Sequence, residues 1–263
     1  MQKDVHYYLS LSLAVRSGIS LQEAKLIAWA DQFTDELTET ELDGTQTQSA
    51  ILGNWSDRQI QNTVIVPFHF VPGEDPQNRR IVTAGSDNVI KLLAEAVKEK
   101  NPFGLGIALH SMQDSFSHQG FSGWNEPANS CWPWYYLKSG IPNIGHAELG
   151  PVPDIANAVW TDPRTSEQIN NNGRVFSAAL ITYQWLRKYA NRDNDIETME
   201  RDIEDALDIE DYDNRKLEFL LMAKNDSVKR YSEISEQYRF SYHDEFIDAA
   251  RRHLSVFMGL LTN

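Results

Sequence analysis

The chain has 263 residues, enough for one large domain or two small ones, and its 24 lysines and arginines against 38 aspartates and glutamates leave a formal net charge of −14. That balance argues against general binding to nucleic acid or anionic membranes, whose affinity comes from a basic surface, but leaves room for an enzyme whose bound cations reverse the field locally. The single cysteine, Cys131, excludes an internal disulfide and a cysteine-based zinc site.

Taken in chain order, residues 5–17 have helical spacing with Gly18 as the stop. Ser10, Ser12 and Arg16 interrupt this mild apolar run, which is a poor signal peptide and far too short for a membrane span, so the expected location is cytoplasmic with no transmembrane segment. Ser20-Leu21-Gln22-Glu23 is a capping box that starts a helix through Ala24, Ile27, Ala28 and Ala30 to about Glu36. Asp31 and Asp35 lie four apart near its end. Residues 41–63 read as a polar loop carrying Trp55, and 64–70 as a short extended run that Pro67 keeps out of a central strand. A helix over about 86–99 follows, and Pro102 opens the next one. Residues 122–163 hold many prolines, glycines and aromatics with no sustained period, a long irregular segment of the kind that often carries function. Helical patterning returns over roughly 165–190, 197–209, 213–236 and 241–261. No repeat or linker is evident. The expected fold is all-α, a single-domain helical bundle over 1–263 with long irregular loops, its motifs in 1–160 and its helices from 165 completing the bundle.

The most informative stretch is 106–121, where His110, Asp114 and His118 stand at intervals of four. On an α-helix that spacing puts all three on one face. Zinc takes imidazole nitrogen and carboxylate oxygen at about 2.0–2.2 Å, and one helix can supply two ligands by the i, i+4 route. The row is embedded among Gly104, Gly106, Ala108, Leu109, Phe116 and Phe121, and a polar row in an apolar helix needs partners. Metal-assisted hydrolysis is therefore the leading expectation. Five of the seven histidines precede residue 150: His6, His69, His110, His118 and His146. His6 follows Asp4 by two, His69 stands between Phe68 and Phe70, and His146 is followed by Glu148 and Asp154, either of which could supply a carboxylate. His243 and His253 lie in an amphipathic terminal helix and read as structural or solvated.

This order of an N-terminal His, an Asp, an isolated His, a G-x-x-x-H-x-x-x-D-x-x-x-H helix and a His with a following acid resembles the zinc-dependent phospholipase C and single-strand-specific nuclease superfamily. Asp4-Val5-His6-Tyr7-Tyr8, Pro67-Phe68-His69-Phe70, the Asp114-to-Phe121 stretch and Gly145-His146-Ala147-Glu148 are most similar to an uncharacterised bacterial branch with the same motifs. The likeness covers about residues 1–160. It implies an α-helical bundle with a trinuclear zinc cluster in a cleft between helices. Carried over by position, Asp31, His69 and His110 would hold one metal, with Asp114 bridging to a neighbour. His118 and His146 with Asp154 or Glu148 would hold a second, and His6 would belong to a third. Secreted members use the amino group and side chain of a processed N-terminal Trp at that third metal. This chain reads Met1-Gln2 there, so either Asp4 substitutes or the third site is missing. The position four after His146, an acid in the superfamily, is Gly150.

The resemblance implies phosphoester hydrolysis by a metal-activated water, with Asp31, Asp114 and Asp154 as the carboxylates at the reaction, two or three Zn2+ ions, and a small phosphoester or lipid as substrate. The donor set would also accept manganese, iron or nickel. Phe121, Trp124, Trp132, Trp134 and Tyr135, joined by Tyr136, would line the substrate or else form a minicore beneath a long loop. A second class of reading is a non-catalytic, metal-stabilised helical binding protein, which the altered third site and Gly150 fit. His243-Asp244 is the chain's HD dipeptide, without the upstream histidine spacing of HD-type phosphohydrolases.

Overall fold

Ser20 accepts a hydrogen bond from the Glu23 backbone nitrogen at 3.2 Å, the cap expected of its box. From it runs α2 (Leu21–Phe33), which tightens into a 3₁₀ turn, Thr34–Glu36. Before it, a π-helical turn Asp4–Leu9 leads into α1 (Ser10–Arg16), and Gly18, at φ 89°, ends that run in the left-handed conformation glycine accepts most readily. The computed structural model describes residues 1–37, 57–74, 79–131, 142–193, 196–230 and 236–261. Trp55 and most of the expected polar loop lie outside these residues.

Residues 64–70 are helical, not extended. A π-helical turn Gln61–Ile65 continues into α3 (Val66–His69), with Pro67 in its first turn. There the missing N–H is not needed, and a short apolar run cannot by itself tell a strand from a buried helix. Next come α4 (Asp87–Glu99) and α5 (Pro102–Ser117), close to the expected bounds. Asn101 caps α5, its Oδ1 accepting from the backbone nitrogens of Phe103 and Gly104 at 2.9 and 3.3 Å.

Further corrections fall in the second half. The helix expected from 165 starts later, because Gln168–Asn170 (β2) first pairs antiparallel with Val159–Thr161 (β1), Trp160 opposite Ile169. Helix α6 then spans Asn171–Tyr189 and α7 Glu197–Leu207. The run expected over 213–236 is two helices, α8 (Tyr212–Met222) and α9 (Asp226–Arg230), separated where Lys224 takes φ 48°. Helix α10 (Glu236–Leu261) is kinked at Tyr242.

Every residue of α5 from Phe103 to Ser117 is buried, with α2, α3, α4, α6 and α10 packed around it. A helix buried all round is the centre of a bundle. Gly106 sets the closest approach: a Cβ there would lie 2.3 Å from the Ile27 carbonyl oxygen and 2.7 Å from Ala30 Cβ. Helix α2 can therefore lie against α5 with Asp31 and Asp35 beside His110. A second, smaller apolar cluster that includes Phe70, Phe121, Cys131 and Ile144 underlies the irregular segment. No helix of the described residues is long and apolar enough to cross a membrane.

His253 is structural. It is buried in α10, stacked on Phe68, with Nε2 3.0 Å from the Pro67 carbonyl oxygen. Burial pushes its pKa down from 6.5 to about 4. Between those values the unfolded chain binds more protons than the folded one, so this group's contribution to stability is complete above about 6.5 and is lost as pH falls to about 4. The loss should be about 3 kcal/mol at 1.36 kcal/mol per unit. Urea unfolding across that interval should show a shallower acid limb in His253→Gln; equal slopes would contradict the assignment.

Candidate metal centre

Helix α5 delivers His110 and Asp114 on one face, and His118 is the residue that ends it, its backbone nitrogen bonded to the Asp114 carbonyl at 2.8 Å. Asp114 is the hub. Its Oδ2 lies 3.0 Å from His69 Nδ1 and 3.1 Å from His110 Nε2, and its Oδ1 lies 3.2 Å from His6 Nε2. The Met1 amino nitrogen contacts Asp114 Oδ1 and lies 3.4 Å from Asp154 Oδ1. The π-helical turn brings His6, the end of α3 brings His69, and the 3₁₀ turn after α2 brings Asp35, whose Oδ1 is 3.6 Å from His110 Nε2 and 3.9 Å from His69 Nδ1.

Beyond the hub, Asp154 is straddled by two imidazoles. His118 Nε2 is 3.3 Å from its Oδ1 and His146 Nε2 is 3.3 Å from its Oδ2. Each ring is turned that way by its other nitrogen: His118 Nδ1–H donates to the His69 carbonyl at 2.6 Å and His146 Nδ1–H to the Gly150 carbonyl at 2.8 Å. Such bonds fix the tautomer that leaves Nε2 free for a metal. Phe70 stacks on His118 at 4.2 Å, and Gly145, at φ 51°, passes so close above that ring that a Cβ would meet it at 2.4 Å.

Among the described residues, three groups of side chains thus have ligand atoms lying within 4.8 Å of one another: His6, His110 and Asp114; Asp35, His69 and His110; His118, His146 and Asp154. Their charges are strongly coupled. Burial would raise the Asp154 pKa, yet His146, the amino group and His118 hold it well below the carboxylate range, and Asp114 is lowered in the same way. Burial would lower that of His110, yet Asp114 and Asp35 raise it to about 10, while burial prevails at His69 and His146. The residues fit divalent cations on a direct observation: His69 Nε2 and His6 Nε2 are buried and make no hydrogen bond of good geometry, the latter lying within ion-pair distance, 3.2 Å, of Asp114 Oδ1. A nitrogen so placed needs a partner such as a metal ion.

Residues 1–257 match the model of a family of unknown function, DUF6765. The chain belongs to that family. No curated protein and no solved structure matched it. The DUF6765 match takes in the helices from α6 onward together with the motif-bearing segment.

Several residues of this DUF6765 chain sit differently from what its sequence suggests. Asp31 stands in none of the three groups; Asp35, one turn later, takes its place because the 3₁₀ turn carries it toward His69. Asp31 is buried and accepts from Ser10 Oγ at 2.7 Å. Glu148 is not beside His146 Nε2: its Oε2 accepts from the Cys131 backbone nitrogen at 2.7 Å, and Asp154 supplies the carboxylate. Gly150 orients His146 through its carbonyl. Asp4 does not serve a third position, since it is paired with Arg215 at 2.8 Å, and the Met1 amino nitrogen lies nearest that corner. Phe121 is fully buried under the Arg164 guanidinium, 3.5 Å from its ring, and Trp124 is buried with Nε1 bonded to Asn62, so both are structural. Trp132, Trp134 and Tyr135 lie outside the described residues. Neither partly exposed His243 nor exposed Asp244 joins a metal-capable group among the described residues.

A cleft of about 320 Å³ opens onto the cluster. Asp35, His69, Asp114, His118, His146 and Asp154 face it, and Ile65, Phe70, Ile144 and Pro151 form apolar walls.

Proposed function

We propose that this chain is a metal-dependent phosphoester hydrolase of the phospholipase C-like kind, with zinc the preferred ion. The observation that carries the reading is three adjoining His/Asp groups, linked through His110 and Asp114, that open through Asp35, His69, Asp114, His118, His146 and Asp154 onto one apolar-walled cleft. Asp35, His69 and His110 would hold one ion, His6 and Asp114 a second beside it, and His118, His146 and Asp154 a third. Two or three such ions would supply Lewis acidity toward a phosphoryl oxygen and would lower the pKa of water toward neutrality.

The chain's own groups supply the rest. Asp114 is 2% exposed, whereas Asp35 and Asp154 are 29% and 20% exposed and face the cleft. Asp35 and Asp154 are therefore the carboxylates that reach the cleft and could take a proton there, and Asp31, buried behind the histidines, is not. Ile65, Phe70 and Ile144 exclude water from one wall and suit an apolar substituent. With a net charge of −14, a small phosphoester or lipid fits better than a long polyanion.

The test is elemental analysis of protein purified without chelator, with His110→Ala and His118→Ala alongside, and hydrolysis of bis(p-nitrophenyl) phosphate and a short-chain phosphatidylcholine. Two or three equivalents of metal, reduced in both variants, with turnover that follows metal content, are expected. Protein that neither carries nor takes up zinc would refute the reading. Tightly held metal with no turnover on either ester would favour the metal-stabilised binding protein.

A further inference from the structure

Behind the cluster lies a buried polar network that none of the three groups includes. Asp31 Oδ1 lies 2.9 Å from His6 Nδ1 and 3.5 Å from His110 Nδ1, the two rings stacked with centroids 4.1 Å apart. Its other oxygen accepts from Ser10 Oγ at 2.7 Å. Ser10 Oγ in turn accepts from Gln113 Nε2 at 2.9 Å, and the same nitrogen donates to Thr182 Oγ1 at 3.3 Å. With its amide so turned, Gln113 presents Oε1 to His6 Nδ1 at 2.8 Å. Asp31, Ser10, Gln113 and Thr182 are all at most 1% exposed.

We infer that Asp31 is a shared positioning residue: one carboxylate fixes the tautomer and tilt of His6 and His110 together, and so couples metal affinity at the two positions these histidines serve. The inference rests on the metal-dependent reading and extends it to a residue outside the coordination set. Asp31 Oδ1 makes no hydrogen bond of good geometry with either ring, but its charge lies on the Nδ1 side of both and favours the proton there, which leaves Nε2, the atom each turns toward Asp114, free for the cluster. Outer partners of this kind typically change metal affinity 10- to 100-fold when removed. Because His110 belongs to two groups and His6 to one of them, loss of the Asp31 charge reaches both positions. The His118, His146 and Asp154 position depends on other acceptors, the His69 and Gly150 carbonyls. Gln113 touches His6 alone of the two rings, so its loss should reach one position only.

The test is calorimetric titration of metal-free, full-length protein with Zn2+, with circular dichroism as a check on folding. Asp31→Asn should weaken two positions by about 10- to 100-fold and leave one unchanged, and adding His146→Ala should remove that remaining position. Gln113→Leu should weaken one. Unchanged affinities in Asp31→Asn, or an equal loss at every position as a general folding defect would give, would overturn the inference. If Asp31→Asn does not fold, Ser10→Ala, which frees the carboxylate while leaving its charge, decides the matter by the same selectivity: two positions weakened supports the coupling, none or all three refutes it. Wild-type protein that takes up no zinc would instead show that the underlying metal reading has failed.

Discussion

Asp114→Asn should give a folded protein that keeps only a fraction of the thermal stabilisation wild type gains from zinc and that turns over a phosphodiester at least about 100-fold more slowly, the scale of losing one preorganised charge at a reacting centre. Asp114 is the residue whose two oxygens face different histidines, His69 and His110 on one side and His6 on the other. Asp154 also faces two histidines, His118 and His146, but only Asp114 reaches the two groups that share His110. A ligand at 1,000 times its dissociation constant stabilises the folded state by about 4 kcal/mol. At roughly 2–4 °C per kcal/mol for chains of this size, each such ion should raise the melting temperature by roughly 8–16 °C. Wild-type protein should lose that increment on chelation and regain it on adding zinc. In Asp114→Asn the two positions that meet at His110 should both fail, leaving at most the increment from His118, His146 and Asp154. A full zinc response in the variant would remove Asp114 from the centre of the site.

The histidines of this cluster were legible in the sequence because their chemistry is stated locally. His110 and Asp114 share a helix face, and His69 and His146 stand in apolar or glycine-rich surroundings where a polar ring needs a reason. The acids were harder. Asp31 and Asp35 both lie on the inner side of one helix end, and the choice between them turns on the 3₁₀ tightening of Thr34–Glu36, which leaves little trace in periodicity. Glu148 and Asp154 were equivalent by spacing; two consecutive 3₁₀ turns place only Asp154 between His118 and His146. The aromatic residues misled for a related reason. Phe121 and Trp124 follow the ligand helix closely, but the chain turns inward there and buries Phe121 in the smaller cluster and Trp124 against the main core. Bundle architecture was readable from caps and spacing, whereas α3 was not, since a four-residue buried helix has no amphipathic period to show.

Arg215 carried no signal at all, yet it anchors the site from the far end of the chain. It lies in α8 at 1% exposure, its Nε donating to Asp4 Oδ2 at 2.8 Å and its Nη1 to the carbonyls of Ile209 and Glu210 at 2.9 and 3.1 Å. Asp4 is two residues before His6 in the same π-helical turn, so this pair holds the segment that carries His6 against the C-terminal half. Breaking a buried pair by removing one partner leaves an uncompensated charge and costs about 3–5 kcal/mol. Arg215→Met should therefore lower the melting temperature by roughly 6–20 °C, and Asp4→Asn should come close to it. Replacing both at once, Asp4→Leu with Arg215→Met, should cost less than the sum of the single changes, because no charge is then stranded. Measured at a temperature where Arg215→Met is still folded, zinc affinity should fall most at the position that uses His6, since that ring alone of the cluster rides on the released turn. A fully additive cycle, or a variant as stable as wild type, would show that the pair is not what fastens the N-terminal turn in place.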